Sequence, residues 1–211
     1  MIDPDSLDPD SLDWAKMDGL IPAIVQHAAT GEVRMLGYMD RAALDATIAD
    51  RLVTFHSRLR GGPWRKGETS GNFLDLVDIR RDCDRDALLI LATPRGPTCH
   101  TGTASCFGDD GAPGLGFIAT LADTVATRAA ADPATSYTAR LIGEGMKRLA
   151  QKVGEEGVEV ALAAVAEDAA ELTSEAADLV YHLTVLLEAS DTSWQAVITE
   201  LQRRHSKRSN P

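Results

Sequence analysis

Cysteine is scarce in this chain of 211 residues, which contains only three. A small and odd number of cysteines argues against a disulfide framework and is more typical of a cytosolic metal site or catalytic site. No apolar run approaches the roughly 18 residues that a membrane span needs. The N-terminal residues are acidic and lack the basic and apolar segments of a secretory signal. We therefore expect a cytoplasmic protein without a membrane-spanning segment.

Positive charge is also in short supply. The chain has 21 Lys and Arg against 32 Asp and Glu, which gives a formal net charge of −11. Such a charge disfavours non-specific binding to nucleic acids and to anionic membrane surfaces. It still permits a small phosphorylated substrate, provided that metals and a few local bases neutralise the phosphates. We predict neither a nucleic-acid partner nor a membrane partner.

Two regions of different character follow each other along the chain. The first is rich in β-prone runs and carries one helix that begins after Asp40. In the second, apolar residues recur at helical spacing. The predicted strands are 21–26, 33–39, 52–57, 73–79 and 87–92, and the predicted helices are 40–50, 117–131, 137–166, 169–188 and 193–205.

A glycine-rich stretch at 108–115 is the strongest linker signal. We therefore predict two domains. Residues 1–107 form a strand-rich, mostly antiparallel α+β domain, in which 1–16, with its doubled Asp-Pro-Asp-Ser-Leu motif, is an acidic and solvated tail. Residues 116–211 form an all-α domain.

The cysteines all lie between Cys83 and Cys106, among acidic residues. Thiolates favour zinc and clustered carboxylates favour magnesium, so two neighbouring metals are indicated. Three protein ligands on zinc leave a fourth position for water, as in catalytic sites. If the stretch from Asp82 to Asp86 is extended, its three aspartates share one face and Cys83 projects from the other. A zinc shared across a dimer interface would resolve this; an acidic turn is the alternative.

His100 follows a presumed ligand cysteine and is a candidate for proton transfer, although a lone histidine is more often structural. The polar loop at 64–72 can present backbone N–H groups and a cation to phosphate. It matches no Walker A pattern, and by itself it would be an ordinary turn.

In the helical half, Glu156 and Glu159 are three residues apart, as are Glu175 and Asp178, so each pair shares a helix face. Antiparallel packing of the two helices would gather these carboxylates at a site suited to Mg²⁺ and phosphate. Exposed glutamates on a solvated helix are the alternative. Apolar neighbours argue against it, because acids embedded in an apolar face need a partner.

Together these motifs resemble the bifunctional histidine-biosynthesis family that joins phosphoribosyl-AMP cyclohydrolase to phosphoribosyl-ATP pyrophosphohydrolase. The resemblance covers about residues 17–190. In the first half it lies in Trp64-x-Lys-Gly-Glu-Thr-Ser-Gly-Asn72, Asp82-Cys-Asp-x-Asp86 and Cys99-His-Thr-Gly102…Ser105-Cys-Phe107. In the second half it lies in Ser136-Tyr-Thr-Ala-Arg140, Gln151-Lys-Val-Gly-Glu-Glu156…Glu159 and Glu175-Ala-Ala-Asp-Leu-Val-Tyr-His182.

The resemblance implies two consecutive hydrolyses of one nucleotide. The helical domain would convert phosphoribosyl-ATP to phosphoribosyl-AMP and pyrophosphate, and the first domain would open the adenine ring at N1–C6. It implies a homodimer, with zinc at Cys99 and Cys106 of one subunit and Cys83 of the partner subunit.

The remaining site residues are assigned in the same way. Magnesium would be held by Asp82, Asp84 and Asp86, and in the helical domain by Glu156, Glu159, Glu175 and Asp178. Catalysis would rest on His100, Glu156 and Glu159. Substrate would be bound by Arg58, Trp64, Lys66, Glu68, Thr69, Ser70, Gly71, Arg140 and Lys152.

The sequence departs from the family at Gly37, Asp40 and His56, where alanine, asparagine and an aromatic residue are common. None of these is a presumed metal ligand, so only the detail of the substrate pocket is affected. Three alternatives stay open. A zinc hydrolase of the cytidine-deaminase kind would need H-x-E and P-C-x-x-C, which are absent. A non-catalytic, metal-stapled module would need four closed ligands, and a chain with one active half is the third.

Overall fold

The computed structural model describes residues 7–108, 111 and 114–208. It divides into two units, Met1–Phe117 and Ile118–Pro211. The first is strand-rich and the second is helical, which confirms the predicted fold class. Most of the first Asp-Pro-Asp-Ser-Leu copy, and part of the predicted linker, lie outside the described residues.

The first unit is built on a four-stranded sheet in the order β2-β1-β6-β5, with a separate two-stranded sheet β3-β4. Strands β1 and β2 pair antiparallel, as do β5 with β6 and β3 with β4, whereas β1 and β6 are parallel. The elements are β1 (Ile21–His27), β2 (Val33–Met39), α1 (Arg41–Asp50), β3 (Thr54–Ser57), β4 (Gly62–Arg65), β5 (Leu74–Arg81) and β6 (Leu88–Pro94).

Local signals explain most of these elements. In β1, Ile21, Ala23 and Val25 alternate towards the core and are fully buried, as expected for a strand with one covered face. Helix α1 begins after Asp40, whose Oδ1 accepts a hydrogen bond from the backbone N–H of Ala43 at 2.8 Å. The predicted hairpin of β1 and β2 and the predicted helix start are both confirmed.

Strand β4 was not predicted, because the glycines at 61–62 read as a loop. It pairs with β3 through Thr54 opposite Arg65 and Ser57 opposite Gly62. Its proline, Pro63, is tolerated because β4 is an edge strand with one partner.

The segment before β1 differs from the solvated tail that the composition suggested. Leu12 is only 6% exposed and belongs to the core, and Trp14 packs against the same core. The Asp13 N–H donates to the Arg85 carbonyl at 2.8 Å. The apolar residues that lie between the acidic ones pack against the core of the first unit. The segment is therefore folded from residue 7, where the described chain begins.

The second unit contains α2 (Phe117–Ala129), α3 (Tyr137–Gly143), α4 (Met146–Val165), α5 (Ala169–Ala189) and α6 (Trp194–Arg208). Its core is formed by Val125, Leu141, Leu149 and Val185. The single helix expected over 137–166 is wrong: α3 ends before Gly145, which has φ 89° and ψ 170°. Only glycine adopts that backbone conformation readily, so the chain turns there and α4 begins anew. None of the described helices is long and apolar enough to cross a membrane.

Candidate active sites

A cleft of about 450 Å³ opens in the first unit between the loop that follows β4 and the loop that follows β6. It brings together many of the residues that the sequence singled out: Trp64, Lys66, Thr69, Ser70, Cys99, His100 and Cys106. Glu68 and Gly71, from the same loop, do not line it. The cleft has the size of an ordinary small-molecule site.

Gly67 explains how the loop after β4 closes over the cleft. Its φ is 91°, and a Cβ placed there would lie 2.5 Å from the backbone carbonyl carbon of Asn72. A larger residue would therefore push the two limbs of the loop apart. The Lys66 N–H donates to the Val53 carbonyl at 3.0 Å, which ties the start of the loop to the core.

Two thiols and one ammonium share this cleft. The Thr101 hydroxyl donates to Cys99 Sγ at 3.0 Å and, more than any other group, lowers the pKa of Cys99, to about 6. Burial and the neighbouring Cys99 raise the pKa of Cys106. Lys66 is only 8% exposed, and burial lowers the pKa of its ammonium although both cysteines oppose that shift. The charged Lys66 ammonium and the cysteine thiolates therefore stabilise each other's charged forms: the thiolates act to raise the pKa of Lys66, and Lys66 acts to lower the pKa of Cys106.

This geometry makes a prediction about thiol reactivity. Because the pKa of Cys99 lies at about 6, the thiolate is present above that pH and is lost below it. In protein freed of metal by a chelator, alkylation of Cys99 by iodoacetamide should therefore reach half its maximal rate near pH 6. Mass spectrometry of the modified peptide gives the rate at each pH.

Thr101→Val should move that midpoint upward, and Thr101→Ser, which keeps the hydroxyl, should leave it in place. An unchanged midpoint in the valine variant would contradict the assigned role of Thr101.

The aspartates at 82, 84 and 86 converge for a reason other than the expected one. Their carboxylate oxygens lie within 4.8 Å of one another. The stretch is a turn and not an extended strand: β5 ends at Arg81, and Arg85 has φ 66°. Asp82 Oδ1 accepts from the N–H groups of Asp86 at 3.0 Å and Ala87 at 3.2 Å, which closes the turn. The strand-face argument for Cys83 therefore no longer applies.

Lys16 was missed by sequence reasoning. Its ammonium lies 2.5 Å from Asp84 Oδ2 and also contacts Asp86. Its hydrogen bond is the main reason why the pKa of Asp84 is lowered. No local pattern predicts a contact between residues so far apart in sequence. Cys83 is exposed and does not line the cleft that holds Cys99 and Cys106.

The second unit carries its own acidic cluster between α4 and α5. Carboxylate oxygens of Glu156, Glu175 and Asp178 lie within 4.8 Å of one another. Glu156 is only 4% exposed, so it is not the solvated glutamate of the alternative interpretation. Lys152 Nζ lies 2.6 Å from Glu156 Oε1 and is the main reason why the pKa of Glu156 is lowered.

Glu159, the fourth predicted carboxylate, lies beside this cluster and not within it. Desolvation and then the charge of Glu156 raise its pKa, and Glu175 acts in the same direction. A carboxylate whose pKa is raised by its surroundings is a better proton acceptor near neutral pH than an ordinary one.

His182 is a further residue to which no role was assigned. It is 6% exposed, and its Nε2 lies 3.5 Å from Glu156 Oε1, whereas its Nδ1 is buried without a hydrogen-bond partner in the described chain. It follows Asp178 by four residues on α5, a spacing that could have placed it on the same face. Arg140 reaches the same neighbourhood through an aromatic contact: its guanidinium carbon lies 5.6 Å from the centre of the Tyr137 ring, and that centre lies 6.4 Å from the centre of the His182 ring.

Comparison with known proteins matches both units. The phosphoribosyl-AMP cyclohydrolase family model covers residues 35–108, and the phosphoribosyl-ATP pyrophosphohydrolase family model covers residues 118–205. "Histidine biosynthesis bifunctional protein HisIE" of Escherichia coli strain K12 is 58% identical over 193 residues, which is 92% of this chain and 95% of that protein. The protein of the same name from Pasteurella multocida strain Pm70 is 55% identical over 198 residues, with 92% and 98% covered.

This chain belongs to the family of bifunctional histidine-biosynthesis proteins. It is a bifunctional hydrolase with a cyclohydrolase domain followed by a pyrophosphohydrolase domain, as the motifs predicted. The alternatives of a deaminase and of a non-catalytic module are therefore set aside.

The three positions at which we expected the sequence to differ from the family, Gly37, Asp40 and His56, all lie in the first unit. His56 Nδ1 is 2.7 Å from Asp40 Oδ2, so two of these positions contact each other. The third, Gly37, lies directly against the Phe55 ring. A Cβ added to Gly37 would be only 2.4 Å from Phe55 Cδ1, so a larger residue would require the ring to move. Gly37 and His56 line a cleft beside the thiol cleft, and Asp40 contacts His56.

Proposed function

We propose that this chain carries out two consecutive hydrolyses on one nucleotide in histidine biosynthesis. The helical domain converts phosphoribosyl-ATP and water to phosphoribosyl-AMP and pyrophosphate. The first domain then opens the adenine ring between N1 and C6. The proposal is supported by one observation above all: each matched unit holds its own cluster of carboxylates that could bind a metal, and the first unit holds two thiols in one cleft in addition.

The side chains fit two kinds of metal. Cys99 and Cys106 in one cleft offer thiolate ligands for zinc, to which we add Cys83 of the partner subunit. The aspartates at 82, 84 and 86, and the cluster of Glu156, Glu175 and Asp178, offer hard oxygen ligands for magnesium. When bound, magnesium would neutralise charge on the phosphates, and zinc would lower the pKa of water to about 7.

In the helical domain, Glu159 is the proposed base that takes a proton from the attacking water, because its surroundings raise its pKa. Lys152, whose ammonium contacts Glu156, is proposed to contact phosphate oxygens as well. Arg140 is proposed as a further substrate contact. Pyrophosphate then leaves and phosphoribosyl-AMP remains.

In the first domain, His100 is the proposed proton carrier, since it lines the cleft and its Nδ1 lies 3.8 Å from Cys99 Sγ. It takes a proton from water and returns it to N1 as the N1–C6 bond breaks. The second proton of the water goes to the exocyclic nitrogen on C6, so the water oxygen ends as the carbonyl oxygen of an amide. Substrate is held by Lys66, Trp64, the loop residues 68–71 and Arg58.

The assembly and the domain limits belong to the same proposal. Cys83 does not line the cleft of its own chain, so a homodimer is needed to complete three cysteine ligands. The cyclohydrolase domain is assigned to 1–107, the linker to 108–115 and the pyrophosphohydrolase domain to 116–211. A cytoplasmic location fits three free cysteines, because the zinc site needs them reduced.

Mixing two inactive variants tests the shared site. Cys83→Ser and Cys99→Ser should each lose ring opening, measured by the absorbance change from phosphoribosyl-AMP. Dimers formed by co-refolding the two should recover about a quarter of wild-type activity, since half of them are mixed and each mixed dimer has one complete site.

Either variant refolded alone is the control. If the mixture stays as inactive as the separate variants, the three cysteines do not combine across an interface.

A further inference from the structure

A second cleft, of about 610 Å³, lies next to the thiol cleft. Met35 and Trp64 line both, so a single ligand can extend from one into the other. The second cleft is also lined by His56 and Ser57 at the end of β3 and by Arg58, which follows them. Each of these three side chains can donate a hydrogen bond.

Arg58 provides an uncompensated positive charge in this cleft. Its guanidinium carbon lies 4.8 Å from the centre of the Tyr38 ring, which holds the side chain over the cleft by a cation–π contact. No carboxylate of the described chain lies within ion-pair distance of it. Arg60, only two residues away, is paired with Glu68. In a chain of net charge −11, an arginine kept without an acidic partner beside a cleft indicates an anionic ligand.

His56 is fixed in one orientation by a carboxylate. Its Nδ1 lies 2.7 Å from Asp40 Oδ2, while Asp40 Oδ1 accepts from the Ala43 N–H at 2.8 Å as the cap of α1. Both oxygens of Asp40 are thus engaged, and the ring cannot turn freely. The Nε2 atom has no hydrogen-bond partner in the described chain, although His56 lines the cleft. An imidazolium donates from both nitrogens, so His56 can bind Asp40 and an anion together.

We propose that the second cleft binds one ribose 5-phosphate end of the substrate, with Arg58 and His56 as donors and Asp40 as the residue that positions His56. This rests on the proposed function, because phosphoribosyl-AMP carries a phosphate on each of its two riboses. The base and one end occupy the thiol cleft, and the other end reaches past Trp64 into the second cleft. Charge-assisted hydrogen bonds of this kind are the strongest available for phosphate.

Steady-state kinetics of ring opening test the proposal. His56→Phe, which keeps a planar ring, and Arg58→Ala should each raise KM about tenfold or more, as expected for losing a hydrogen bond to a charged group. The kcat value should change by less than about threefold, because binding and not chemistry is affected. His56→Gln, which keeps an N–H donor, should recover part of the loss.

Asp40→Asn separates positioning from helix capping, since asparagine caps helices as well as aspartate does. Asp40→Asn should raise KM when it is the only substitution. In the double variant with His56→Phe it should raise KM no further than His56→Phe alone, because Asp40 acts only through His56. Pyrophosphate release from phosphoribosyl-ATP should be unchanged in all these variants. That second reaction is the control for folding.

Substrates lacking one phosphate identify which end is bound. Two analogues of phosphoribosyl-AMP are compared, each lacking the phosphate on one of its two riboses. If the missing phosphate is the one that the second cleft binds, His56→Phe should no longer change KM. If the other phosphate is missing, His56→Phe should still raise KM about tenfold. The proposal is overturned if wild-type protein opens the ring and KM is insensitive to His56→Phe and Arg58→Ala, or if both analogues respond equally to His56→Phe. Wild-type protein that opens no ring would instead contradict the proposed function.

Discussion

Cys99→Ser should abolish ring opening in a protein that still releases pyrophosphate from phosphoribosyl-ATP. We expect ring opening to fall by about three orders of magnitude or more, because a serine hydroxyl is a poor zinc ligand and water loses its activation. Cys99 is the thiol whose pKa the Thr101 hydroxyl lowers, so of the two thiols in the cleft it is the one more readily deprotonated for zinc near neutral pH. The absorbance change of ring opening and a pyrophosphate assay follow the two steps separately.

The second reaction serves as the internal control, because all three cysteines of the chain are assigned to the zinc site and none is left for a matched substitution. Zinc content of the purified variant should fall together with ring opening. Loss of pyrophosphate release along with ring opening would show that the two halves do not work independently, and retained ring opening would remove Cys99 from the site.

The parts of the fold that the sequence predicted well are those with local causes. Helix α1 was predicted because an N-cap aspartate, Asp40, stands directly before it. The hairpin of β1 and β2 was predicted from two β-prone runs around a glycine turn. The break at Gly145 was missed because alanine, leucine and glutamate on either side continue the helical pattern, and composition does not reveal a positive φ.

The parts of the site that were missed depend on contacts between distant residues. Lys16 reaches Asp84 and Asp86 from a segment that composition alone assigned to a solvated tail. The alternate spacing of Asp82, Asp84 and Asp86 correctly predicted that their carboxylates lie close together, but it did so by assuming a strand. The structure has a turn there instead, and hydrogen bonds to the Asp82 carboxylate close that turn. Family motifs identified the residues of the thiol cleft, yet only the fold shows that Lys66 is buried beside the thiols.

Asp40 and His56, which we expected to differ from the family, are a further case in which a contact between distant residues could not be predicted. In the sequence, Asp40 and His56 were two separate and unrelated positions. In the fold they form one hydrogen-bonded pair, of which His56 lines a cleft, so the two positions are physically coupled. A change at one of them alters the environment of the other.

Glu156→Gln and Glu159→Gln should both abolish pyrophosphate release, but for different reasons. Glu156 belongs to the group of carboxylates within 4.8 Å of one another, whereas Glu159 lies beside that group. Glu156→Gln should therefore weaken metal binding, while Glu159→Gln should remove the base and leave the metal site intact. We expect release to fall by roughly two to four orders of magnitude in each case, the range for losing general-base or metal assistance.

Binding of Mn²⁺, followed by electron paramagnetic resonance as a probe for magnesium, separates the two roles without measuring activity. Glu159→Gln should bind Mn²⁺ at this site as wild type does, and Glu156→Gln should bind it more weakly. Because the aspartates at 82, 84 and 86 form a second oxygen cluster, each variant is compared in a background that carries Asp84→Asn. Glu171→Gln, an exposed change on the same helix as Glu175, is the matched control and should affect neither binding nor release.

The pH dependence of release gives a second distinction between these two glutamates. The raised pKa of Glu159 means that its carboxylate loses its charge as pH falls through that raised value, so release should decline on the acid side at a higher pH than an ordinary glutamate would allow. Glu156, whose pKa the Lys152 ammonium lowers, stays charged there and cannot produce that decline. If the residual activity of Glu159→Gln kept the same acid limb, the base would have to be another residue, and Glu159 would instead belong with the ligands of the metal.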